Sequence, residues 1–182
     1  MANEFDWIVV PDKESVKTIK PGTAYTYDLV NMTISEALCY QKRDFGINLG
    51  FTDPGESSNI RFLRKSGTGD IKYGEMFAIG VRAGRWLYYQ KRDFGPNLGW
   101  SELPKFEWRF DAEDGRTGTV SVIELVGLYN SVEKDTLMYE RRDWGVNLKW
   151  FKDAGKHDSF GDLKEVANRI KSIKEGFSDW FG

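Results

Sequence analysis

Apolar and polar residues alternate along this chain in short runs bounded by turn-forming residues, and the runs recur in the same order three times. Ile60-Arg-Phe-Leu-Arg64 and Phe106-Glu-Trp-Arg-Phe110 alternate residue by residue, the period of a strand with one buried face. Phe5-Asp-Trp-Ile-Val9 is a run of the same kind near the N-terminus. A second set, 24–30, 76–81 and 119–126, is rich in β-branched and aromatic residues and follows the turn signals Ile19-Lys-Pro-Gly22, Ile71-Lys-Tyr-Gly74 and Gly115-Arg-Thr-Gly118. Two further strands complete each set. Leu38 shares a face with Tyr40, Leu87 with Tyr89 and Leu137 with Tyr139; after a turn, Leu49 pairs with Phe51, Leu98 with Trp100 and Leu148 with Trp150. All of these are expected in the core, because a one-residue slip would turn every one of them to solvent.

The turn between the last two strands of each set carries one string in three near-copies. They are Tyr40-Gln-Lys-Arg-Asp-Phe-Gly-Ile-Asn-Leu-Gly50, Tyr89-Gln-Lys-Arg-Asp-Phe-Gly-Pro-Asn-Leu-Gly99 and Tyr139-Glu-Arg-Arg-Asp-Trp-Gly-Val-Asn-Leu-Lys149. Self-similarity at a period of roughly fifty residues marks a repeat architecture. The chain therefore divides into three four-stranded units, about 5–51, 60–100 and 106–150, within one all-β domain spanning 1–157.

Beyond that domain the periodicity changes. Leu163, Val166, Ile170, Ile173, Phe177 and Trp180 are spaced by three and four, which predicts an amphipathic helix over 158–182 capped by Asp158 or Ser159. Its apolar stripe fits docking on the domain, self-association, or a membrane surface, the last through Phe177, Trp180 and Phe181 beside lysines.

Three four-stranded units of this length resemble the β-trefoil superfamily, in which six strands form a short barrel and three hairpins cap one end about a pseudo-threefold axis. The resemblance is to the fold and covers 5–150; the Gln-x-Trp triplet of ricin-type lectins is absent. A propeller of three blades is a poor fit, since propellers typically have four or more. The resemblance implies a binding module, because trefoils include lectins, actin-bundling modules, inhibitors, cytokines and toxin receptor-binding domains.

Composition narrows the partners. A net charge of −2 over 182 residues gives no basic footprint for nucleic acid. With Cys39 the only cysteine and no basic-then-apolar leader at the N-terminus, the expectation is a cytoplasmic protein without disulfides. No cofactor is expected, and no metal or nucleophile motif points to an enzyme: His157 is the single histidine, and Cys39 aligns with Tyr88 and Met138 as a packed side chain. Aromatics at 15%, including seven Trp, serve equally a β core or a stacking surface.

The repeated string supports two readings. As a turn, it needs Asp for backbone amides and Gly for a positive φ, with Asn bonding across the hairpin and Arg pairing with the neighbouring Asp or covering a ring. As a ligand site, it offers Arg43, Asp44, Phe45 and Asn48, then Arg92, Asp93, Phe94 and Asn97, then Arg142, Asp143, Trp144 and Asn147. An aromatic ring stacks on the apolar face of a pyranose while carboxylate, amide and guanidinium bond its hydroxyls, so a lectin-like module with up to three equivalent glycan sites is expected. The alternatives are a protein-interaction or actin-binding trefoil, and a toxin-like protein with a receptor-binding trefoil and a lipid-binding tail. Exposure of Phe45, Phe94 and Trp144 separates the turn reading from the ligand reading.

Overall fold

The computed structural model describes residues 4–56, 59–81 and 84–154, together with Asn168, Lys171 and Ser172. The helix expected over 158–182 and His157 lie outside the described residues, save for those last three positions. Among the described residues no helix is long and apolar enough to cross a membrane.

The chain is all-β; its described residues hold twelve strands joined in one antiparallel sheet. The first unit supplies β1 (Trp7–Pro11), β2 (Tyr27–Asn31), β3 (Glu36–Cys39) and β4 (Gly50–Thr52). The second supplies β5 (Ile60–Arg64), β6 (Phe77–Val81), β7 (Arg85–Tyr89) and β8 (Leu98–Ser101). The third supplies β9 (Trp108–Asp111), β10 (Gly127–Asn130), β11 (Asp135–Tyr139) and β12 (Leu148–Trp150). In each unit the first strand pairs with the second, the second with the third, and the third with the fourth.

Units join through single pairings at equivalent places. Tyr27 of β2 pairs with Ile60 of β5, and Phe77 of β6 with Trp108 of β9. At the remaining junction Trp7 and Val126, the residue before β10, each donate their N–H to the other's carbonyl, at 3.2 and 2.8 Å. The run β1-β2-β5-β6-β9-β10 thus comes back to its start, leaving β3–β4, β7–β8 and β11–β12 as three outlying hairpins.

A second ring of contacts crosses between the connections that precede β2, β6 and β10. Ile19 N–H donates to Val120 C=O (3.1 Å), Val120 N–H to Ile71 C=O (2.9 Å), and Ile71 N–H to Ile19 C=O (2.8 Å). All three side chains are fully buried in the main core, which also holds the mutually packed rings of Phe62, Phe77 and Phe110.

This ring explains one departure from the sequence pattern. The run 119–126 is predicted as a strand, but the strand lies at Gly127–Asn130. Val120 directs its backbone to two other units, and Ile123 has φ +57°, which breaks an extended run. The β-branched residues there fill the core from a connection.

Trp7 and Trp108, at the starts of β1 and β9, are buried with Nε1–H donated to Leu137 C=O and Leu87 C=O, each at 2.8 Å. The residues just before them anchor the hairpins. Asp6 Oδ2 accepts from the Tyr139 N–H (3.0 Å) and from Asn31 Nδ2 (2.8 Å), and Glu107 Oε1 accepts from the Tyr89 N–H (3.2 Å). Burial pushes the Asp6 carboxyl up to about 7 and raises Glu107 as well. These carboxyl groups hold the first residue of two copies of the repeated string, and so set where the turns project.

Candidate functional site

The three hairpin turns are built alike. Asn48 Oδ1 accepts from the Arg43 N–H (2.9 Å), Asn97 from Arg92 (2.9 Å) and Asn147 from Arg142 (2.8 Å), closing each turn. Arg43 Nε donates to Leu49 C=O (2.6 Å) and Arg92 Nε to Leu98 C=O (2.5 Å), while Arg142 uses Nη1 on Leu148 C=O (3.3 Å). Gly46, Gly95 and Gly145 sit at φ +78°, +77° and +79°, where any L side chain is strained. The next residue, Ile47, Pro96 or Val146, is buried and pins the turn to the core.

Other positions of the string also have structural tasks. Gln41 lies across Gly50, where a Cβ would come within 1.9 Å of its Oε1, and Gln90 lies across Gly99 in the same way. In the third copy both partners change together: Glu140 and Lys149 form an ion pair at 2.7 Å. The tyrosines pack cyclically between units, Tyr40 on Trp100 (5.8 Å between centroids), Tyr89 on Trp150 (6.3 Å) and Tyr139 on Phe51 (6.0 Å). This corrects the expectation that Tyr40, Tyr89 and Tyr139 are core residues. The leucines two positions earlier are buried, but Tyr40 is exposed and the other two half-buried, because the strand is leaving the core as it enters the turn.

Three positions per copy remain, and all are exposed: Lys42, Asp44 and Phe45; Lys91, Asp93 and Phe94; Arg141, Asp143 and Trp144. The rings are 72%, 80% and 78% exposed, far beyond any packing role. The chain has seven ion pairs among the described residues, yet no charged group of the three tips belongs to one, not even an Asp with its neighbouring Arg. Sequence reasoning singles out Asp and the aromatic but passes over Lys42, Lys91 and Arg141. Their shared positive charge in all three copies is the available signal.

The tips gather on one face. Lys42, Arg43, Asp44 and Phe45 share a shallow, open cleft of about 310 Å³ with Trp144 and Gly145 of the third copy. Gly95 and Pro96 of the second copy face Arg142 and Lys149 of the third across another depression. Trp100 Nε1–H of the second unit donates to Asn48 C=O of the first (3.0 Å). The arrangement brings together a ring from each of two copies, a carboxylate and two cations, which suits stacking with hydrogen bonding. Arg43, Arg92 and Arg142 are tied to the hairpin by one nitrogen each, and Asn48, Asn97 and Asn147 by Oδ1, so the amides act mainly as turn closures. Cys39 is half-buried with its thiol raised by burial, as fits a packed side chain.

No family model, curated protein or solved structure matches this chain.

Proposed function

We propose that the chain is a β-trefoil whose three hairpin tips form a carbohydrate-binding face. The fold part rests on the six-strand run that returns to its start, the three equivalent hairpins and the cyclic bonds among Ile19, Ile71 and Val120. The function part rests on one observation above the others: Phe45, Phe94 and Trp144 are largely exposed, each beside a carboxylate without an ion-pair partner, on turns whose other residues, Lys42, Lys91 and Arg141 apart, have structural roles.

Exposed rings of this size are costly to leave in water unless something covers them. A pyranose offers a flat apolar face for the ring and hydroxyls that donate to Asp44, Asp93 or Asp143. The cleft shared by Phe45 and Trp144 makes the site a product of two copies, so the tips act as one face more than as three separate sites. Shallow clefts of this kind bind single sugars weakly and gain strength on multivalent surfaces.

A glycan array followed by calorimetry tests the reading. The chain is expected to bind a defined set of glycans, and the triple variant Phe45→Ala, Phe94→Ala, Trp144→Ala to lose that binding with unchanged thermal stability. Absence of binding to every glycan at high protein concentration rules the reading out.

A further inference from the structure

We infer that the ligand of this face is an acidic glycan, one whose pyranose carries a carboxylate or sulfate. This rests on the carbohydrate reading above and adds the charge of the ligand to it. The three tips hold six cations, Lys42, Arg43, Lys91, Arg92, Arg141 and Arg142, against three carboxylates, Asp44, Asp93 and Asp143. The face therefore carries a surplus of three positive charges on a chain whose net charge is −2.

Elsewhere some cations are neutralised locally, as in Lys20–Asp70, Arg109–Asp111 and Arg116–Asp114. At the tips none is, among the described residues. Lys42, Lys91 and Arg141 carry no structural bond among the described residues, whereas the residues on either side of them, Gln41 or Glu140 and the three arginines, are all engaged. A position that is basic in all three copies, exposed and structurally idle fits an anionic partner group. In the cleft shared with Trp144, Lys42 and Arg43 stand beside Phe45. One sugar can then place its apolar face on a ring, its hydroxyls on Asp44 and its acid group on the cations.

The carboxylates also favour a sugar over an anionic membrane. Sinking Phe45, Phe94 or Trp144 into a bilayer would carry the adjoining Asp44, Asp93 or Asp143 to the negatively charged headgroups.

The test measures binding of the full chain to matched pairs: 3′-sialyllactose and lactose, a galacturonate hexamer and its methyl ester, a heparin hexasaccharide and its desulfated, N-acetylated form. Phosphatidylserine vesicles form a separate arm. At least one acidic member is expected to bind about tenfold or more tightly than the partner lacking its carboxylate or sulfate, and to weaken as salt rises from low to high. Which pair discriminates identifies carboxylate or sulfate as the acid. In the Lys42→Gln, Lys91→Gln, Arg141→Gln variant, the difference within the pair is expected to vanish. Equal binding within every pair, or binding indifferent to salt, overturns the charge inference and leaves the carbohydrate reading standing. Binding to no soluble sugar, or to the vesicles alone, overturns both. Discrimination that survives in the Gln variant overturns the assignment to these cations.

Discussion

Asn48, Asn97 and Asn147 each close a turn with one acceptor atom, while the rings three residues earlier touch little. Their substitution should therefore separate stability from binding. Asn97→Ala leaves the Arg92 N–H without its partner and is expected to cost roughly 1–2 kcal/mol in denaturant unfolding. Trp144→Ala is expected to stay within about 0.5 kcal/mol of the parent, as for any surface residue without packing. Equal losses in the two variants would mean that the ring supports the turn. Asp6 makes a different case. Its folded carboxyl titrates near 7 against an ordinary 3.8, so its contribution is fully present below about pH 4 and disappears as the pH rises through 7. At full burial that span is worth on the order of 4 kcal/mol. Asp6→Asn should flatten the fall in stability between pH 4 and 7, followed by denaturant melts across that range; an unchanged slope would refute the assignment. Nothing in the sequence marks Asp6, because an Asp in an alternating run reads as a solvent-facing residue. Only the arrival of Tyr139, 133 positions away, makes it a buried anchor.

At the level of elements, the hairpins are readable because their residues interact locally. Arg, Asn, Gly and Leu lie within a few positions of one another, and a string repeated three times averages out accident. The paired exchange of Gln41 and Gly50 for Glu140 and Lys149 is equally local and equally visible once the strands are aligned. The run 119–126 misleads for the opposite reason: its partners, Ile19 and Ile71, are distant, and periodicity cannot register them. Alternation places the tyrosines too deep because it continues past the point where the strand leaves the core. One strand carries its own test. Gly80 of β6 pairs with Trp86 of β7, whose ring lies across it, so a Cβ there would stand 2.6 Å from Trp86 Cζ3. Gly80→Ala is expected to destabilise by about 1–3 kcal/mol through this overlap. A double variant with Trp86→Leu should cost less than the two single changes together. Strict additivity, read from chemical denaturation, would show that the ring is not the cause.

Across the whole molecule, the first strand and the last unit depend on each other. Trp7 bonds Val126 and Leu137, Asp6 bonds Tyr139, and Phe5 packs where Gly127 leaves space. Removing residues 1–11 is expected to abolish the cooperative thermal transition of the entire domain; a persistent transition of similar sharpness would mean that the last unit closes without β1. The predominance of such long-range joins also accounts for what periodicity can and cannot reveal. It shows four strands per unit and three units. It does not show that strands of neighbouring units pair through single residues, since those pairings are set by topology and leave no local trace.

The cyclic bonds of Ile19, Ile71 and Val120 bear on assembly. Each unit donates to one neighbour and accepts from the other, so at these three positions no unit satisfies its own backbone and no pair of units closes the cycle. A lone unit is thus an incomplete object with two complementary ends, and three identical copies would complete one another by rotation. A peptide carrying the sequence of one unit should remain unfolded when dilute and assemble as a trimer when concentrated.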